Sequence, residues 1–132
     1  MIVVDAPVVV AALLANGAAG ESARAALTAD PDVHAPHLLD IEVASAIRRW
    51  VLAERLTPQL AALALADLRD LAVTRHGHDL LLDRILELRA PTSAYAGAYV
   101  ALAELLGARL VTADARLARA AVLRCPVDVL TA

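Results

Sequence analysis

The chain begins with a short apolar run that ends on a carboxylate. Residues 2–4, Ile-Val-Val, are β-branched and are followed directly by Asp5. A run of this kind is typical of a strand in a parallel sheet, which is apolar on both faces. A second such run, residues 110–113, is followed by Asp114. Because open α/β sheets bind ligands beyond the carboxyl ends of their strands, both aspartates are predicted to lie at one edge of a sheet.

Between and beyond these runs, the hydrophobic pattern alternates between helical and extended segments. Thr57 and Pro58 form a helix cap with a proline in the first turn, and Gly107 is placed to end a helix. Helices are predicted over residues 6–14, 20–29, 37–53, 57–71, 78–88, 92–106 and 115–121, and further strands over residues 33–35, 72–74, 109–111 and 127–129. This alternation predicts a single α/β domain over residues 1–132, with helices around a parallel sheet.

Composition narrows the possible partners and compartments. The 132 residues carry a formal net charge of −3 and no Lys, so no global positive field points to nucleic acid or a membrane. The lone Cys125 excludes an intrachain disulfide. The longest uncharged run, residues 6–20, is shorter than the ~20 residues of a membrane span, and no Arg or Lys precedes Asp5 as in a signal peptide. We expect a cytoplasmic protein whose apolar surface is partly covered by a partner.

Three acidic residues are candidates for chemistry. Asp5 and Asp114 could share Mg²⁺ or Mn²⁺, which take oxygen ligands and keep several waters; the alternative is that each caps a helix. Glu42 lies within an apolar helix, where a carboxylate is costly unless it meets a cation or hydrogen-bond donors. The alternative for Glu42 is a rim position paired with Arg49.

Three longer motifs accompany the two strand ends. They are LLDIEVASAIRR around Glu42, SAYAGAYVALAELLG from Ser93, and LVTADARLARA from Leu110. Together with the first strand and Asp5, they resemble the PIN-domain ribonucleases of the VapC toxin type, in the same order and over nearly the whole chain. The resemblance implies a PIN-like three-layer α/β/α sandwich with a central parallel sheet of about five strands.

The resemblance also implies an activity and partners. Proteins of this type are toxin components of type II toxin–antitoxin systems, and they cleave RNA phosphodiesters endonucleolytically with Mg²⁺ or Mn²⁺. A VapB-type antitoxin would neutralise the toxin by laying an apolar helix in a groove and directing an Arg to the acidic site. The implied partners are the antitoxin, RNA and a second copy in a homodimer, with DNA contacted only indirectly through the antitoxin and no membrane.

Matched residue by residue, the resemblance assigns a catalytic site with one acid missing. Asp5 matches the first family acid, Glu42 the second and Asp114 the last, with Asp5 and Asp114 as the metal ligands. Thr112 matches a hydroxyl that commonly supports the last acid. The family places a further acid directly after the Tyr of the SAYAGAYVALAELLG helix, where this chain has Ala96.

The substitution at Ala96 predicts weak metal binding and poor RNA cleavage, because it removes one of four carboxylates. It indicates either a degenerate toxin or an Asp-to-Ala change made so that a lethal ribonuclease can be expressed, and the otherwise intact acids favour the second. Pro7 stands where the family has a small hydroxyl residue, which is a second departure. Restoring the acid by Ala96→Asp should raise the activity.

The RNA would have to be held by arginines. Arg48 and Arg49 beside Trp50, and Arg116 with Arg119 after the last acid, are candidates for phosphate contacts. The alternative is that these side chains are ordinary solubilising charge on exposed helix faces. The four histidines lie near predicted loops and helix starts and are interpreted as surface residues.

Other classes with carboxylates at strand ends fit less well. Receiver domains and haloacid-dehalogenase-like phosphatases use a Lys near the site, and this chain has none. No Gly-rich phosphate-binding loop is present either. The remaining alternative is a non-catalytic PIN-fold binding module that engages an antitoxin or another protein, and a metal titration would distinguish it from a nuclease.

Overall fold

A computed structural model describes residues 1–130, which form five strands and seven α-helices. The strands are β1 (Ile2–Val4), β2 (Val33–Pro36), β3 (Val73–His76), β4 (Arg109–Thr112) and β5 (Val127–Val129). The helices are α1 (Ala6–Leu14), α2 (Gly17–Ala29), α3 (Leu38–Leu52), α4 (Pro58–Asp70), α5 (Leu82–Glu87), α6 (Ala94–Leu106) and α7 (Ala115–Ala118), with a 3₁₀ turn at Asp79–Leu81. The predicted alternation of strands and helices is confirmed.

The five strands form one parallel sheet in the order β3-β2-β1-β4-β5. β1 is central, and its residue Val4 pairs with Val111 of β4. The chain first builds the sheet outward from β1 through β2 and β3, then returns to the other side of β1 with β4. The carboxyl ends of β1 and β4 therefore flank the point where the strand order reverses, which is where open α/β sheets bind ligands.

The sheet is enclosed by helices in the α/β/α arrangement of a PIN-like fold. α6 packs across β1, β2 and β4, and α1 contacts α2, α3 and β4. Residues 97–103 of α6 are all buried, so this helix is surrounded by protein on nearly every side. An apolar helix with no polar face is the pattern expected of a core element.

The junction between α1 and α2 depends on a glycine and an arginine. The two helices are bent by 116° at this junction, and over residues 1–130 no single helix is long and apolar enough to cross a membrane. A Cβ on Gly20 would lie 2.0 Å from the carbonyl oxygen of Ala15, so the bend requires glycine at this position. Arg24 donates to the carbonyl oxygens of Ala12 and Ala15, which satisfies acceptors at the end of α1.

Several predicted boundaries are wrong. α2 begins at residue 17 instead of 20, the strand predicted over residues 72–74 runs over residues 73–76, and the helix predicted over residues 78–88 is divided between the 3₁₀ turn and α5. α7 ends at Ala118 and not at Ala121.

Tertiary hydrogen bonds explain why α7 is short. Arg84 donates to the carbonyl oxygen of Val122 at 2.8 Å, and the backbone N–H of Arg124 donates to Glu104 at 2.7 Å. Arg84 and Glu104 also form an ion pair at 2.6 Å. These contacts hold the segment after α7 against α5 and α6 and satisfy two of its backbone groups, the carbonyl of Val122 and the N–H of Arg124, without a helix.

Candidate active site

Asp5 occupies the first position after the central strand. Its backbone is extended, and one carboxylate oxygen accepts from the backbone N–H of Val8 at 3.2 Å, so it caps α1. The other oxygen accepts from the hydroxyl of Thr112. Only 8% of Asp5 is exposed. The capping role considered for this residue is therefore present, but one carboxylate oxygen is turned toward β4.

Burial raises the pKa of the Asp5 carboxyl to about 6. The hydrogen bonds from Thr112 and Val8 lower this pKa, and the charges of Glu42 and Asp114 raise it further. Keeping a carboxylate here is unfavourable for the fold, and strongly perturbed pKa values of this kind occur frequently at functional sites.

Thr112 connects the two aspartates. The fully buried hydroxyl of this last β4 residue donates to Asp5 and accepts from the backbone N–H of Asp114 at 3.0 Å. Asp114 in turn caps α7 by accepting from the backbone N–H of Arg116 at 3.0 Å. The guanidinium of Arg116 lies against the Asp114 carboxylate and lowers its pKa.

Glu42 reaches the same region from α3. The hydroxyl of Tyr99, on α6, donates to Glu42 at 2.6 Å, and burial together with this hydrogen bond to Glu42 raises the pKa of Tyr99. The alternative partner, Arg49, donates instead to the hydroxyl of Ser45 at 3.1 Å. Tyr99 is only 3% exposed and was not predicted as a site residue, because nothing in the local sequence shows which way its hydroxyl points.

Replacing Tyr99 by Phe should cost about 1 kcal/mol of folding free energy, since Glu42 loses a donor while the ring stays packed. Tyr95 offers a matched control, because the same Tyr-to-Phe change would remove an exposed hydroxyl from the same helix. Urea unfolding of both variants measures the difference. Equal stability of the two variants would contradict a stabilising Tyr99–Glu42 hydrogen bond.

The three predicted acids, together with Ala96 and Arg116, line one cavity of about 310 Å³. It is lined by Asp5, Pro7, Glu42, Ser93, Tyr95, Ala96, Tyr99, Leu110, Asp114, Arg116 and Leu117. The cavity thus brings together three acids from β1, α3 and the end of β4, and it includes the position of the missing acid.

Ala96 lies in the first turn of α6. The hydroxyl of Ser93 accepts from its backbone N–H at 3.1 Å, which makes Ser93 the cap and Ala96 the third residue of the helix. An acidic side chain at this position suits a capping box and the positive end of the helix dipole.

The four arginines considered for RNA binding are separated by the structure. Arg119 is exposed just after α7 and lines neither the acidic cavity nor the neighbouring groove. Arg116 is the one basic side chain among the described residues that line the acidic cavity. Arg49 lines a neighbouring groove with Trp50, and Arg48 is exposed on α3 outside both lining sets.

The oxygen-only donor set fits a hard, hydrated cation. Over residues 1–130, no three Asp, Glu, His or Cys side chains lie close enough together to form a metal cluster. Mg²⁺, however, is usually held by one or two carboxylates, with waters and substrate phosphates completing its shell. Asp5 and Asp114 are the two carboxylates of the cavity that would serve as such ligands.

Three of the four histidines are partly buried and hydrogen-bonded, which corrects their interpretation as surface residues, whereas His37 is exposed as that interpretation expects. Nδ1 of His34 lies 2.8 Å from Nε2 of His76, and Nε2 of His34 lies 2.6 Å from Oδ1 of Asp32. His78 accepts from the backbone N–H of Leu38 at 3.0 Å and so caps α3. These side chains join the ends of β2 and β3 to α3.

Comparison with known proteins identifies the class to which this fold and site belong. The family model described as "PIN domain" matches residues 2–123 of the chain. A crystal structure of Mycobacterium tuberculosis VapC20, described as a sarcin-ricin loop cleaving toxin, superposes with a TM-score of 0.65 at 19% identity. The superposition covers 83% of this chain and 87% of the VapC20 chain, and the likeness shows that the two proteins share a fold.

Curated relatives narrow the class further. Ribonuclease VapC9 of Mycobacterium tuberculosis strain H37Rv is 46% identical over 129 residues, which cover 98% of each chain. Ribonuclease VapC1 of the same strain is 40% identical over 126 residues, which cover 95% of this chain and 94% of the relative. The chain therefore belongs to the VapC type of PIN-domain proteins.

Proposed function

We propose that this protein is the toxin of a type II toxin–antitoxin system and a Mg²⁺- or Mn²⁺-dependent endoribonuclease. The observation that carries the proposal is the shared cavity of Asp5, Glu42 and Asp114 at the point where the strand order reverses. Its relatives VapC9 and VapC1 are named as ribonucleases, which supports RNA cleavage as the reaction. Because its substrate would be cellular RNA, we expect it to act in the cytoplasm.

The three acids of the cavity have separate proposed roles in phosphodiester hydrolysis. Asp5 and Asp114 would hold the cation, with Thr112 fixing the orientation of Asp5. A divalent cation supplies Lewis-acid stabilisation of the charge on the phosphoryl oxygens and makes water a better nucleophile. Glu42, held by Tyr99, would orient the attacking water. No Ser or His nucleophile is required.

The chain would be an impaired member of this class. At residue 96 a methyl group lines the cavity where an acid would add a fourth carboxylate. With less negative charge, the cavity should bind the cation weakly and leave more of its coordination to water. Slow cleavage is therefore expected even at high metal concentration.

A VapB-type antitoxin and a second copy are the proposed protein partners. A groove of about 410 Å³ between α1 and α3 is lined mainly by apolar side chains, as a helix-in-groove partner requires. Pro7 and Glu42 line both this groove and the acidic cavity, so a helix in the groove could direct a basic side chain to the acids. Exposed apolar side chains such as Ile41 and Leu80 would suit homodimerisation.

The second candidate function is a non-catalytic binding module. Ala96 favours it, as does the lack of any cluster of three metal-ligating side chains over residues 1–130. Under this alternative the groove would still bind an antitoxin or another protein, but the acids would not bind a cation.

A Mn²⁺ titration tests the two functions against each other. At Mn²⁺ concentrations five times the dissociation constant, the cation should stabilise the protein by about 1 kcal/mol and raise its melting temperature. Asp114→Asn should abolish this shift and the slow, EDTA-sensitive cleavage of RNA. Asp128→Asn, which makes the same change at an exposed ion pair with Arg109, should keep both. Equal Mn²⁺ responses in the Asp114 and Asp128 variants would refute the nuclease assignment.

A further inference from the structure

Arg116 is the one cation that the described chain itself places in the acidic cavity. Its Nε donates to Oδ1 of Asp114 at 3.1 Å and its Nη2 donates to Oδ2 at 3.0 Å. The guanidinium therefore engages both oxygens of the carboxylate. These are the oxygens that Asp114 would offer to a divalent cation.

The ion pair between Arg116 and Asp114 can be broken at little energetic cost. Arg116 is 84% exposed, and α7, on which it lies, is a single turn. Ion pairs this exposed contribute little to stability, so breaking the contact carries a small cost. Over residues 1–130, the hydrogen bonds of its guanidinium are those to Asp114. A released side chain would remain tethered at the rim of the cavity.

The released guanidinium has a chemically matched alternative partner. The planar fork that fits a carboxylate also fits a phosphate with two parallel hydrogen bonds. An RNA strand that reaches the acids must bring phosphates into a cavity whose other charged side chains, Asp5, Glu42 and Asp114, are acids. Arg116 is the cavity side chain able to offset that repulsion.

We propose that Arg116 is an exchangeable counter-ion that occupies Asp114 until a divalent cation displaces it, and that it then binds a phosphate of the RNA strand. This inference rests on the proposed nuclease function. It makes Arg116 a substrate-binding residue whose availability depends on the metal. Cation and RNA should therefore bind cooperatively.

The chain offers a matched control on the same short helix. Arg119 is the exposed C-cap residue that follows α7, and its charge acts on Asp114 without a hydrogen bond to it. Arg119→Ala thus removes the same formal charge but leaves the fork in place. Arg116→Lys keeps the charge but cannot reproduce the two-pronged contact.

The first measurement is Mn²⁺ affinity, from the electron paramagnetic resonance signal of free Mn²⁺. Arg116→Ala should tighten Mn²⁺ binding about two- to fivefold, the range expected from a weak exposed ion pair. Arg116→Lys should lie between this variant and the unmodified chain, and Arg119→Ala should change the affinity less than twofold. An unchanged or weakened affinity in Arg116→Ala would overturn the exchange.

The second measurement is binding of a fluorescein-labelled 12-nucleotide single-stranded RNA, followed by anisotropy with EDTA or with Mn²⁺. The unmodified chain should bind this RNA more tightly with Mn²⁺ than with EDTA. Arg116→Ala should reduce this Mn²⁺-dependent gain in affinity at least threefold, whereas Arg119→Ala should not. If Mn²⁺ binding depends on Asp114 but neither measurement responds to Arg116, the exchange is wrong and the nuclease site stands. If Mn²⁺ binding does not depend on Asp114, both the exchange at Arg116 and the proposed nuclease function are wrong.

Discussion

Replacing Ala96 by Asp should increase Mn²⁺-dependent RNA cleavage by at least about 10- to 100-fold, the range typical for losing or regaining one side chain that supports a metal site. The new carboxylate would enter the cavity that already holds Asp5, Glu42 and Asp114. Four acids would bind the cation more tightly and orient it better than three. Single-turnover cleavage of an RNA pool at saturating enzyme measures the gain.

The fold should accept this change. An acid as the third residue of α6 suits both the Ser93 cap and the helix dipole, although the nearby carboxylates partly offset that gain. We therefore expect the Ala96→Asp variant to melt within a few degrees of the unmodified protein, and to be stabilised more strongly by Mn²⁺. A large loss of stability would indicate that residue 96 does not line the acidic cavity as the third residue of α6.

The matched control is Ala96→Asn, which has the same shape without the charge. It should leave cleavage close to the starting level, and adding Asp114→Asn to Ala96→Asp should return the activity to background. Cleavage that is unchanged in Ala96→Asp would contradict the assignment of the whole acidic cavity. Equal gains from Asp and Asn would show that shape and not charge is responsible.

The positions of Asp5 and Asp114 could be predicted from the sequence because the information is local. An apolar run specifies a buried strand, and in a parallel sheet all carboxyl ends point the same way. Two aspartates directly after such runs must then share an edge. The single β1–β4 pairing that makes them neighbours follows from the order of the strands.

Tyr99 and the pair of Arg84 with Glu104 could not be predicted in this way. Tyr99 meets Glu42 across 57 positions of sequence, and the direction of its hydroxyl depends on where α6 and α3 lie relative to each other in the fold. Glu104 binds Arg84 and the backbone after α7, so the end of that helix depends on side chains 20 residues away. Local helix propensity does not depend on such distant contacts, and the sequence therefore predicts α7 too long.

Replacing Asp5 by Asn should stabilise the protein while removing its ability to bind Mn²⁺. The pKa of Asp5 is about 6 in the fold against an ordinary value of 3.8, so at neutral pH its ionised form is held at a cost of about 2–3 kcal/mol. Asn can still accept from the N–H of Val8 and carries no charge. If Asp5 serves the proposed metal site, this cost is of the kind that stability–activity trade-offs describe.

The pH dependence distinguishes this cause from a general packing effect. A carboxyl group with a raised pKa is not penalised below about pH 3.8, where it is protonated in both folded and unfolded chains. The penalty grows as the pH rises toward 6 and is complete above it. The stability advantage of Asp5→Asn should therefore be about a third of its full size near pH 4.5 and reach its maximum by about pH 7.

Melting temperatures of both proteins at four pH values between 4.5 and 7.5, in EDTA, provide the measurement. Asp128→Asn is again the control, since it makes the same chemical change at an exposed carboxylate on β5. An Asp5→Asn advantage that is constant across the series would mean that burial of charge is not its origin. A destabilised variant at pH 7.5 would mean that the hydrogen bond from Thr112 outweighs the cost of burial, and that Asp5 contributes to folding as well as to the site.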